Sequence, residues 1–230
     1  MFSIVIPLFN ESKNIKKLTD EIFLSLDQYY KDFEIVFVND YSIDETLKMI
    51  SEIKNKHNKI NIINNKKNLG QSFSIINGIE SAHNDVIVTL DGDGQNNPKD
   101  IPKLLKIFFA NEDIKLVGGI RVKRKDSFIK NISSKIANFV RKKILNDNCN
   151  DTGCSLKVFD KSIFLKFPKF DGLHRFLPAL FVGFGHKAVF VEVDHRVRVH
   201  GASNYGTLKR LINGIFDMIK VYNIIKNHNI

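Results

Sequence analysis

The sequence predicts an α/β protein in which a mostly parallel central sheet carries helices on both faces. Short apolar runs rich in β-branched residues alternate with segments of helical periodicity from residue 3 to residue 120, a pattern typical of parallel sheets. Acidic or amide residues directly follow several of these runs, at the strand ends where such sheets bind ligands. At 230 residues the chain is long enough to bury a sizeable core.

Five apolar runs predict parallel strands in the first half of the chain. They occupy residues 3–7, 33–38, 60–63, 86–91 and 116–120. The segments between them space their apolar residues as amphipathic helices do. These helices are expected after residue 12, from about residue 44, over residues 71–82 and over residues 98–111.

The second half of the chain predicts fewer regular elements. Two more strands are expected over residues 154–159 and 189–199, with a short helical segment from residue 173. One domain is expected over residues 1–206, followed by an amphipathic helix over residues 207–230. The apolar stripe of this helix is wider than a surface helix needs. We expect core packing to account for part of the stripe and contact with a membrane surface to account for the rest.

The strand over residues 86–91 ends in the acidic motif Asp91-Gly92-Asp93-Gly94-Gln95. Two carboxylates one residue apart at a strand end are hard oxygen ligands for a divalent cation, and the glycines let the backbone approach a ligand closely. An acidic turn without an ion is the alternative. An EF-hand calcium loop is excluded, because Asn96 and Pro102 stand where that loop needs Gly and Glu.

The net charge indicates an anionic partner. The chain carries 35 Lys and Arg against 25 Asp and Glu, a formal net charge of +10. Nucleic acid, anionic lipid and a phosphorylated substrate all stay open on charge alone. Ten of the basic residues lie within residues 115–143, which also carry a helical apolar face. That segment is interpreted either as a solvated basic helix or as an amphipathic helix lying against anionic lipid.

Three features bear on the compartment. Cys149 and Cys154 do not form a CxxC motif and have no His-rich segment near them. They are expected to be reduced thiols of a cytosolic chain. The N-terminal apolar run has no basic region before it and is interpreted as a first strand instead of a signal peptide. The sequence has no window of eighteen apolar residues, so no membrane-spanning helix is predicted.

Seven motifs follow one another in an order that resembles the family 2 glycosyltransferases of GT-A fold. Within that family they are most similar to the polyprenyl-phosphate sugar transferases, the dolichol-phosphate mannosyltransferase group. The resemblance covers nearly the whole chain. The motifs are IPLFNE at residues 6–11, VNDYSIDET at 38–46, NLGQ at 68–71, DGDGQ at 91–95, GIRVKR at 119–124, DTGCSLK at 151–157 and RVHGASNYG at 198–206.

This resemblance implies an inverting transferase that moves a sugar from a nucleoside-diphosphate sugar to a polyprenyl phosphate, in cell-envelope glycan or glycolipid synthesis. It implies Mg²⁺ or Mn²⁺ as cofactor, bound by Asp91, Asp93 and Gln95. The catalytic residues that it implies are Asp93, Asp151, Arg121 and Arg198. The substrate-binding residues that it implies are Pro7, Phe9, Glu11, Asp40, Asn68, Gly70, Arg124, Ser203 and Tyr205.

The resemblance also implies which partners the protein has. They are a nucleoside-diphosphate sugar donor, a polyprenyl phosphate acceptor and an anionic membrane surface, without nucleic acid. A partner membrane protein is compatible with the same interpretation. The protein is then expected to be cytoplasmic and peripheral on the cytoplasmic face of the membrane.

Three alternative functions stay open from the sequence. The same fold could use a saccharide hydroxyl as acceptor, with Asp151 or Asp93 as the required base. The chain could be a basic nucleic-acid-binding module, although its basic residues lack the interleaved aromatic pattern of single-strand binders. It could also be a membrane-bound scaffold that keeps the fold without turnover.

Overall fold

The computed structural model of the chain describes residues 1–122, 140–198 and 207–228. Its strands, in chain order, are β1 (Phe2–Leu8), β2 (Phe33–Asn39), β3 (Ile60–Asn64), β4 (Val86–Thr89), β5 (Ile114–Arg121), β6 (Lys157–Asp160) and β7 (Lys187–Val193). These strands form one seven-stranded sheet in the order β3-β2-β1-β4-β6-β5-β7.

The sheet is mostly parallel, which confirms the predicted fold class. β1 pairs in parallel with β2 and β4, β2 with β3, and β5 with β7. β6 is the exception, because it lies antiparallel between β4 and β5. The five strands predicted in the first half of the chain are all present, with ends that shift by one or two residues.

The last two strands are shorter than the sequence predicts. β6 begins only at Lys157, and β7 ends at Val193 instead of continuing to residue 199. The physical reason at Val193 is a side chain: the amide of Asp194 donates to the Asp100 carboxylate at 2.8 Å, which ends the strand ladder. His195 then forms an isolated bridge with Asn96, so the chain leaves the sheet beside the acidic motif.

Helices connect the strands. The first four are α1 (Ser12–Leu26), α2 (Thr46–Lys54), α3 (Gln71–Ser81) and α4 (Ile101–Ala110). A 3₁₀ turn over Pro98–Asp100 precedes α4, so the helix predicted from residue 98 begins as a tighter turn. Residues 140–145 are also helical. The remaining helical segments are Lys161–Phe164, the 3₁₀ turn Leu173–Arg175, the helix Leu177–Gly183 and the C-terminal helix Thr207–His228.

Both faces of the sheet are buried, as the apolar runs predict. On one face, α1 and α4 pack on the sheet through residues such as Ile15 and Leu104. On the other face, α3 and the helix Leu177–Gly183 pack through residues such as Ile79 and Phe181. Strands that are covered on both sides need apolar side chains at successive positions, which explains their nearly continuous apolar sequence.

The C-terminal helix has one packed side and one exposed side. Met218 and Val221 are buried in the second core cluster, and Ile225 contacts Gly183. Four large apolar side chains of the same helix are exposed: Ile215, Phe216, Ile219 and Tyr222. Core packing therefore accounts for the apolar side chains at Met218 and Val221, and not for these four. Across the described ranges 1–122, 140–198 and 207–228, no helix is long and apolar enough to cross a membrane.

Candidate active site

The carboxyl ends of β1, β2 and β4 lie side by side at one edge of the sheet. The acidic motif follows β4 and lies against the carboxyl end of β1. A Cβ on Gly92 would lie only 2.3 Å from Leu8 Cδ2 and 3.2 Å from the Pro7 carbonyl oxygen. A side chain at position 92 would require Leu8 to move, so glycine permits this close approach of the acidic motif to the IPLFNE motif.

Glu11 lies next to this pair of carboxylates. Burial raises the pKa of Glu11, and the hydrogen bond that Asn14 Nδ2 donates at 2.6 Å opposes the rise. The nearby negative charges of Asp93 and Asp91 raise the pKa of Glu11 further, while Arg198 lowers it. Three carboxylates therefore share one region of negative potential at the sheet edge.

Asp91 is held by a neighbour on α3. Gln71 Nε2 donates to Asp91 Oδ1 at 2.8 Å. Burial raises the pKa of Asp91 to about 6, and the charge of Asp93 adds to the rise. Lys157 and Arg121 lie close enough to oppose it. Two carboxylates that repel each other in this way form a favourable place for a cation.

Asp93 is bound to Arg198, near the far end of the chain, and to its neighbour Gln95. Its Oδ2 accepts from the Arg198 guanidinium, and its Oδ1 accepts from the amide of Gln95 at 3.0 Å. Gln95 in turn holds the segment before Arg198, because its carbonyl accepts from the Arg196 amide at 2.8 Å. Gln95 Nε2 also donates to the Arg196 carbonyl at 3.3 Å.

These residues fit a divalent cation that is completed by a substrate. In the part of the chain that the structure describes, no group of three His, Cys, Asp or Glu side chains is arranged to hold a metal. The two carboxylates available to a cation here are Asp91 and Asp93, and Asp93 is paired with Arg198 in this structure. Mg²⁺ is commonly bound in this way, by one or two carboxylates together with substrate phosphates and water.

Arg121 and Asp151 form a tight pair beside this site. Arg121 Nε and Nη2 each donate to the Asp151 carboxylate at 2.7 Å, and the Arg121 amide donates at 3.1 Å. Burial acts to lower the pKa of Arg121, but the bonds to Asp151 outweigh it and raise that pKa. These three bonds hold the carboxylate of Asp151 against Arg121 and fix the orientation of both side chains.

Asp40 organises the NLGQ turn. Among the described residues, three donors reach its carboxylate: the amides of Leu69 and Gly70 at 2.8 Å and Asn65 Nδ2 at 2.9 Å. Asn68 Nδ2 donates to the Asp40 carbonyl at 3.2 Å. The Asp40 side chain is buried, so these bonds fix its carboxylate against the NLGQ turn.

The first two motifs are bound to each other. The amides of Asn10 and Glu11 donate to Ser42 Oγ at 3.0 Å and to Thr46 Oγ1 at 2.9 Å. Phe9, at the start of this turn, is 37% exposed. An aromatic ring held open at a strand end is available to stack on a planar ligand.

Comparison with known proteins identifies the family. Residues 3–167 match the model of the family described as Glycosyl transferase family 2. The chain belongs to glycosyl transferase family 2. Dodecaprenyl-phosphate galacturonate synthase of Rhizobium johnstonii is 33% identical over 223 residues, which are 95% of this chain and 65% of that protein. Undecaprenyl-phosphate 4-deoxy-4-formamido-L-arabinose transferase of Proteus mirabilis is 33% identical over 218 residues, 94% of this chain and 66% of that protein.

This family 2 chain spans just under two thirds of the length of those two relatives. Among solved structures, a mannosyltransferase from Pyrobaculum calidifontis in complex with GDP-Man and Mn²⁺ has a TM-score of 0.68 at 16% identity, covering 95% of this chain and 64% of that one. Glucosyl-3-phosphoglycerate synthase from Mycobacterium tuberculosis, in complex with Mn²⁺, UDP and glucosyl-3-phosphoglycerate, has a TM-score of 0.70 at 16% identity, covering 96% and 79%. These likenesses establish the fold, which is GT-A.

The family 2 fold brings most of the predicted site residues to one edge of the sheet. Pro7, Phe9, Glu11 and Asp40 end β1 and β2, Asn68 and Gly70 precede α3, and the acidic motif with Arg198 lies beside them. The roles assigned to these residues stay predictions. Arg124, Ser203 and Tyr205 lie outside the described residues.

Two residues beside Asp91 were missed by the sequence analysis as site residues. Gln71, which donates to Asp91, directly follows Gly70 in the NLGQ motif. Lys157 closes the DTGCSLK motif and is buried in β6, where burial lowers its pKa. Its Nζ donates to the Cys154 carbonyl. Both residues stand within quoted motifs, so membership of a motif was the signal that could have found them.

Proposed function

We propose that this protein transfers a sugar from a nucleoside-diphosphate sugar to a polyprenyl phosphate, with inversion at the anomeric carbon. The observation that carries the proposal is the carboxylate pair Asp91 and Asp93, held at the end of β4 beside Arg198. Two relatives support the acceptor class, because they are named for dodecaprenyl phosphate and undecaprenyl phosphate. The proposal places the protein in cell-envelope glycan or glycolipid synthesis.

For the donor, we propose that Asp91 and Asp93, with Gln95 as a further ligand, hold Mg²⁺ or Mn²⁺. This cation would supply Lewis-acid stabilisation for the departing nucleoside diphosphate. Two solved structures of the same fold support this cofactor class, since their complexes contain Mn²⁺ with GDP-Man or UDP. Pro7, Phe9, Glu11 and Asp40 would contact the base and ribose, with Phe9 offering its ring.

The arginines would act on the phosphates. Arg198 already pairs with a carboxylate of the acidic motif, so its guanidinium is positioned to bind phosphate oxygens beside that motif. Arg121 would add positive charge from the other side, with Asp151 fixing its orientation. Arg124, Ser203 and Tyr205 complete the proposed substrate-binding set on the strength of the motifs alone.

The site suits a phosphate acceptor better than a hydroxyl acceptor. A phosphate oxygen is already anionic at neutral pH, whereas a saccharide hydroxyl needs a base. Both candidate bases have another part in the proposed site: Asp151 accepts three N–H bonds from Arg121, and Asp93 is a proposed ligand of the metal. This arrangement favours the lipid phosphate over the saccharide alternative.

We also propose that the protein is peripheral on the cytoplasmic face of the membrane. The exposed apolar side chains of the C-terminal helix support this, together with Val140 and Ile144 on the helical segment 140–145. A groove of about 540 Å³ between the two, lined largely by apolar side chains, would suit a prenyl chain. With a net charge of +10, each Lys or Arg near anionic lipid would contribute about 1 kcal/mol.

The test is sugar transfer by purified protein, with a panel of labelled nucleotide sugars and undecaprenyl phosphate, with and without Mg²⁺ or Mn²⁺. We expect metal-dependent transfer of label into the lipid. Asp91→Asn and Asp93→Asn should lower the rate by about 100-fold or more, because several kcal/mol of charge stabilisation depend on these ligands. Asp113→Asn, at an exposed carboxylate away from the site, is the matched control and should behave as wild type.

Other outcomes would replace the proposal. Label that appears only on a soluble saccharide would support the saccharide acceptor. No turnover, together with oligonucleotide binding that weakens with salt, would support the nucleic-acid module. Vesicle binding without turnover or metal-dependent nucleotide binding would support the scaffold.

A further inference from the structure

A continuous chain of contacts runs from the acidic motif to the C-terminal helix. Its first link is the hydrogen bond of 2.8 Å from Gln71 Nε2 to Asp91 Oδ1. Gln71 is the first residue of α3. The position of the Asp91 carboxylate therefore depends on whatever holds the first turn of this helix in place.

The side chain of Ser72 holds the first turn of α3 in place. This side chain is buried, and its Oγ accepts from the amide of Gly172 at 2.7 Å. The same Oγ lies 2.7 Å from His174 Nδ1. A serine hydroxyl can accept one bond while it donates another, so Ser72 can satisfy both partners at once. These bonds join the first turn of α3 to the segment 172–175, about 100 residues away in sequence.

The segment 172–175 is held from its other side by the C-terminal helix. Arg175 Nη2 donates to Asp217 Oδ2 at 2.6 Å, and both side chains are partly shielded from solvent. Gly172 has φ +94°, and a Cβ there would lie 2.8 Å from Asp217 Oδ2 and 2.9 Å from Arg175 Nη2. The ion pair thus packs directly on the turn that also bonds Ser72.

We propose that residues 172–175 couple the C-terminal helix to the acidic motif, with His174 and Arg175 as positioning residues for Asp91. Only one consequence of this coupling, its effect on metal binding at Asp91, rests on the proposed function. A change that loosens the C-terminal helix would release the first turn of α3 and with it Gln71 and Asp91. Binding of a cation at Asp91 and docking of the helix would then favour each other, as two linked equilibria must.

A second contact from the same stretch of chain supplies a matched control. Lys169 pairs with Glu80, in the last turn of α3, and both side chains are largely exposed. Gln71 and Glu80 are nine positions apart, which is about 14 Å along a helix. Breaking this pair removes an ion pair between the same two parts of the chain, at the end of α3 remote from Asp91.

Hydrogen–deuterium exchange on the full chain tests the coupling without relying on activity. Asp217→Asn and His174→Asn are each expected to speed exchange about 5-fold or more in peptides covering residues 69–76 and 89–96. Glu80→Gln should leave exchange in these peptides as in wild type. Unchanged exchange in these peptides in both coupling variants would overturn the inference.

Calorimetric titration with Mn²⁺ alone separates this inference from the proposed function. The two coupling variants are expected to bind Mn²⁺ about 5-fold more weakly than wild type and Glu80→Gln. Equal Mn²⁺ affinity in all four proteins would overturn the link to Asp91. Accelerated exchange combined with a wild type that binds no Mn²⁺ would sustain the coupling and contradict the proposed metal site.

Discussion

At the scale of single residues, the acidic motif depends on one close contact between two chain segments. Gly92 lies against Leu8 and the Pro7 carbonyl at the end of β1. It stands between Asp91 and Asp93, so any displacement of its backbone moves both carboxylates. The geometry of the proposed metal site therefore depends on a close approach that a side chain at position 92 would disturb.

Gly92→Ala should both destabilise the protein and impair the site. The added Cβ would meet Leu8 Cδ2 at 2.3 Å, and overpacking of this kind costs about 1–3 kcal/mol. Thermal unfolding and Mn²⁺ titration measure the two effects. Gly214→Ala is the control, because among the described residues nothing lies within 4 Å of a Cβ there. That helical change should stabilise by about 0.5–1 kcal/mol, and a Gly92→Ala protein as stable as wild type would contradict the account.

At the scale of elements, the edge of the sheet opposite the site carries a polar clamp. Glu34 on β2 is buried and accepts from Ser3 Oγ on β1 and Asn61 Nδ2 on β3, each at 2.6 Å. The loop after α3 adds the His83 amide at 2.6 Å. One carboxylate thus fastens three strands and a loop.

Glu34→Gln should remove stability that depends on pH. Burial alone would raise the pKa of Glu34, but the hydrogen bonds from Ser3, His83 and Asn61 outweigh it and lower that pKa below 4.5. A carboxylate of this kind stabilises the fold above its unfolded pKa, and the contribution disappears as pH falls through the folded pKa. We expect the variant to lose about 1–3 kcal/mol at pH 7.

Urea unfolding at pH 7 and at a pH well below 4.5 measures this effect. The difference between wild type and Glu34→Gln should shrink on acidification. Glu112→Gln, at an exposed side chain, should show no such difference at either pH. A difference that stays constant or grows in acid would mean that the Glu34 bonds do not set its pKa.

The elements also show how far sequence reasoning extends. β1 to β5 were predictable because strands buried on both faces need unbroken apolar runs. The end of β7 was not predictable, because the Asp194 amide donates to the side chain of Asp100, which is 94 positions away in sequence. The antiparallel direction of β6 was equally invisible, since periodicity does not encode the direction of a strand.

The candidate site likewise has features that the sequence could predict and features that it could not. Asp91 and Asp93 were predictable because their chemistry is local to five residues of sequence. The bonds that commit Asp151 to Arg121, and Asp40 to the NLGQ turn, depend on chain segments about 30 positions apart. No spacing rule reveals those partners, and they alter what each carboxylate can do chemically.

At the scale of the whole molecule, one groove lies between two helical segments that expose apolar side chains. The C-terminal helix exposes four large apolar side chains, and the helical segment 140–145 exposes two more. The groove between them includes Tyr222 and Lys226 in its lining. This is the face that we propose contacts the membrane surface.

Membrane binding should therefore depend on this face. The double variant Phe216→Ser with Ile219→Ser should reduce co-sedimentation with phosphatidylglycerol vesicles by about 10-fold, and high salt should weaken binding by wild type. Leu24→Ser on α1 is the control, because Leu24 is 73% exposed on another helix. Equal vesicle binding by all three proteins would contradict this surface, and no binding by wild type would favour a partner membrane protein.

The central claim is that the acceptor nucleophile is a lipid phosphate. The most direct test compares undecaprenyl phosphate with undecaprenol as acceptors, with the same labelled nucleotide sugar, wild-type protein and Mn²⁺. The two lipids differ only in the anionic group that makes a general base unnecessary. We expect label to enter undecaprenyl phosphate alone. Label on undecaprenol at a comparable rate would contradict the claim and would require a base that Asp151, bound to Arg121, is not arranged to provide.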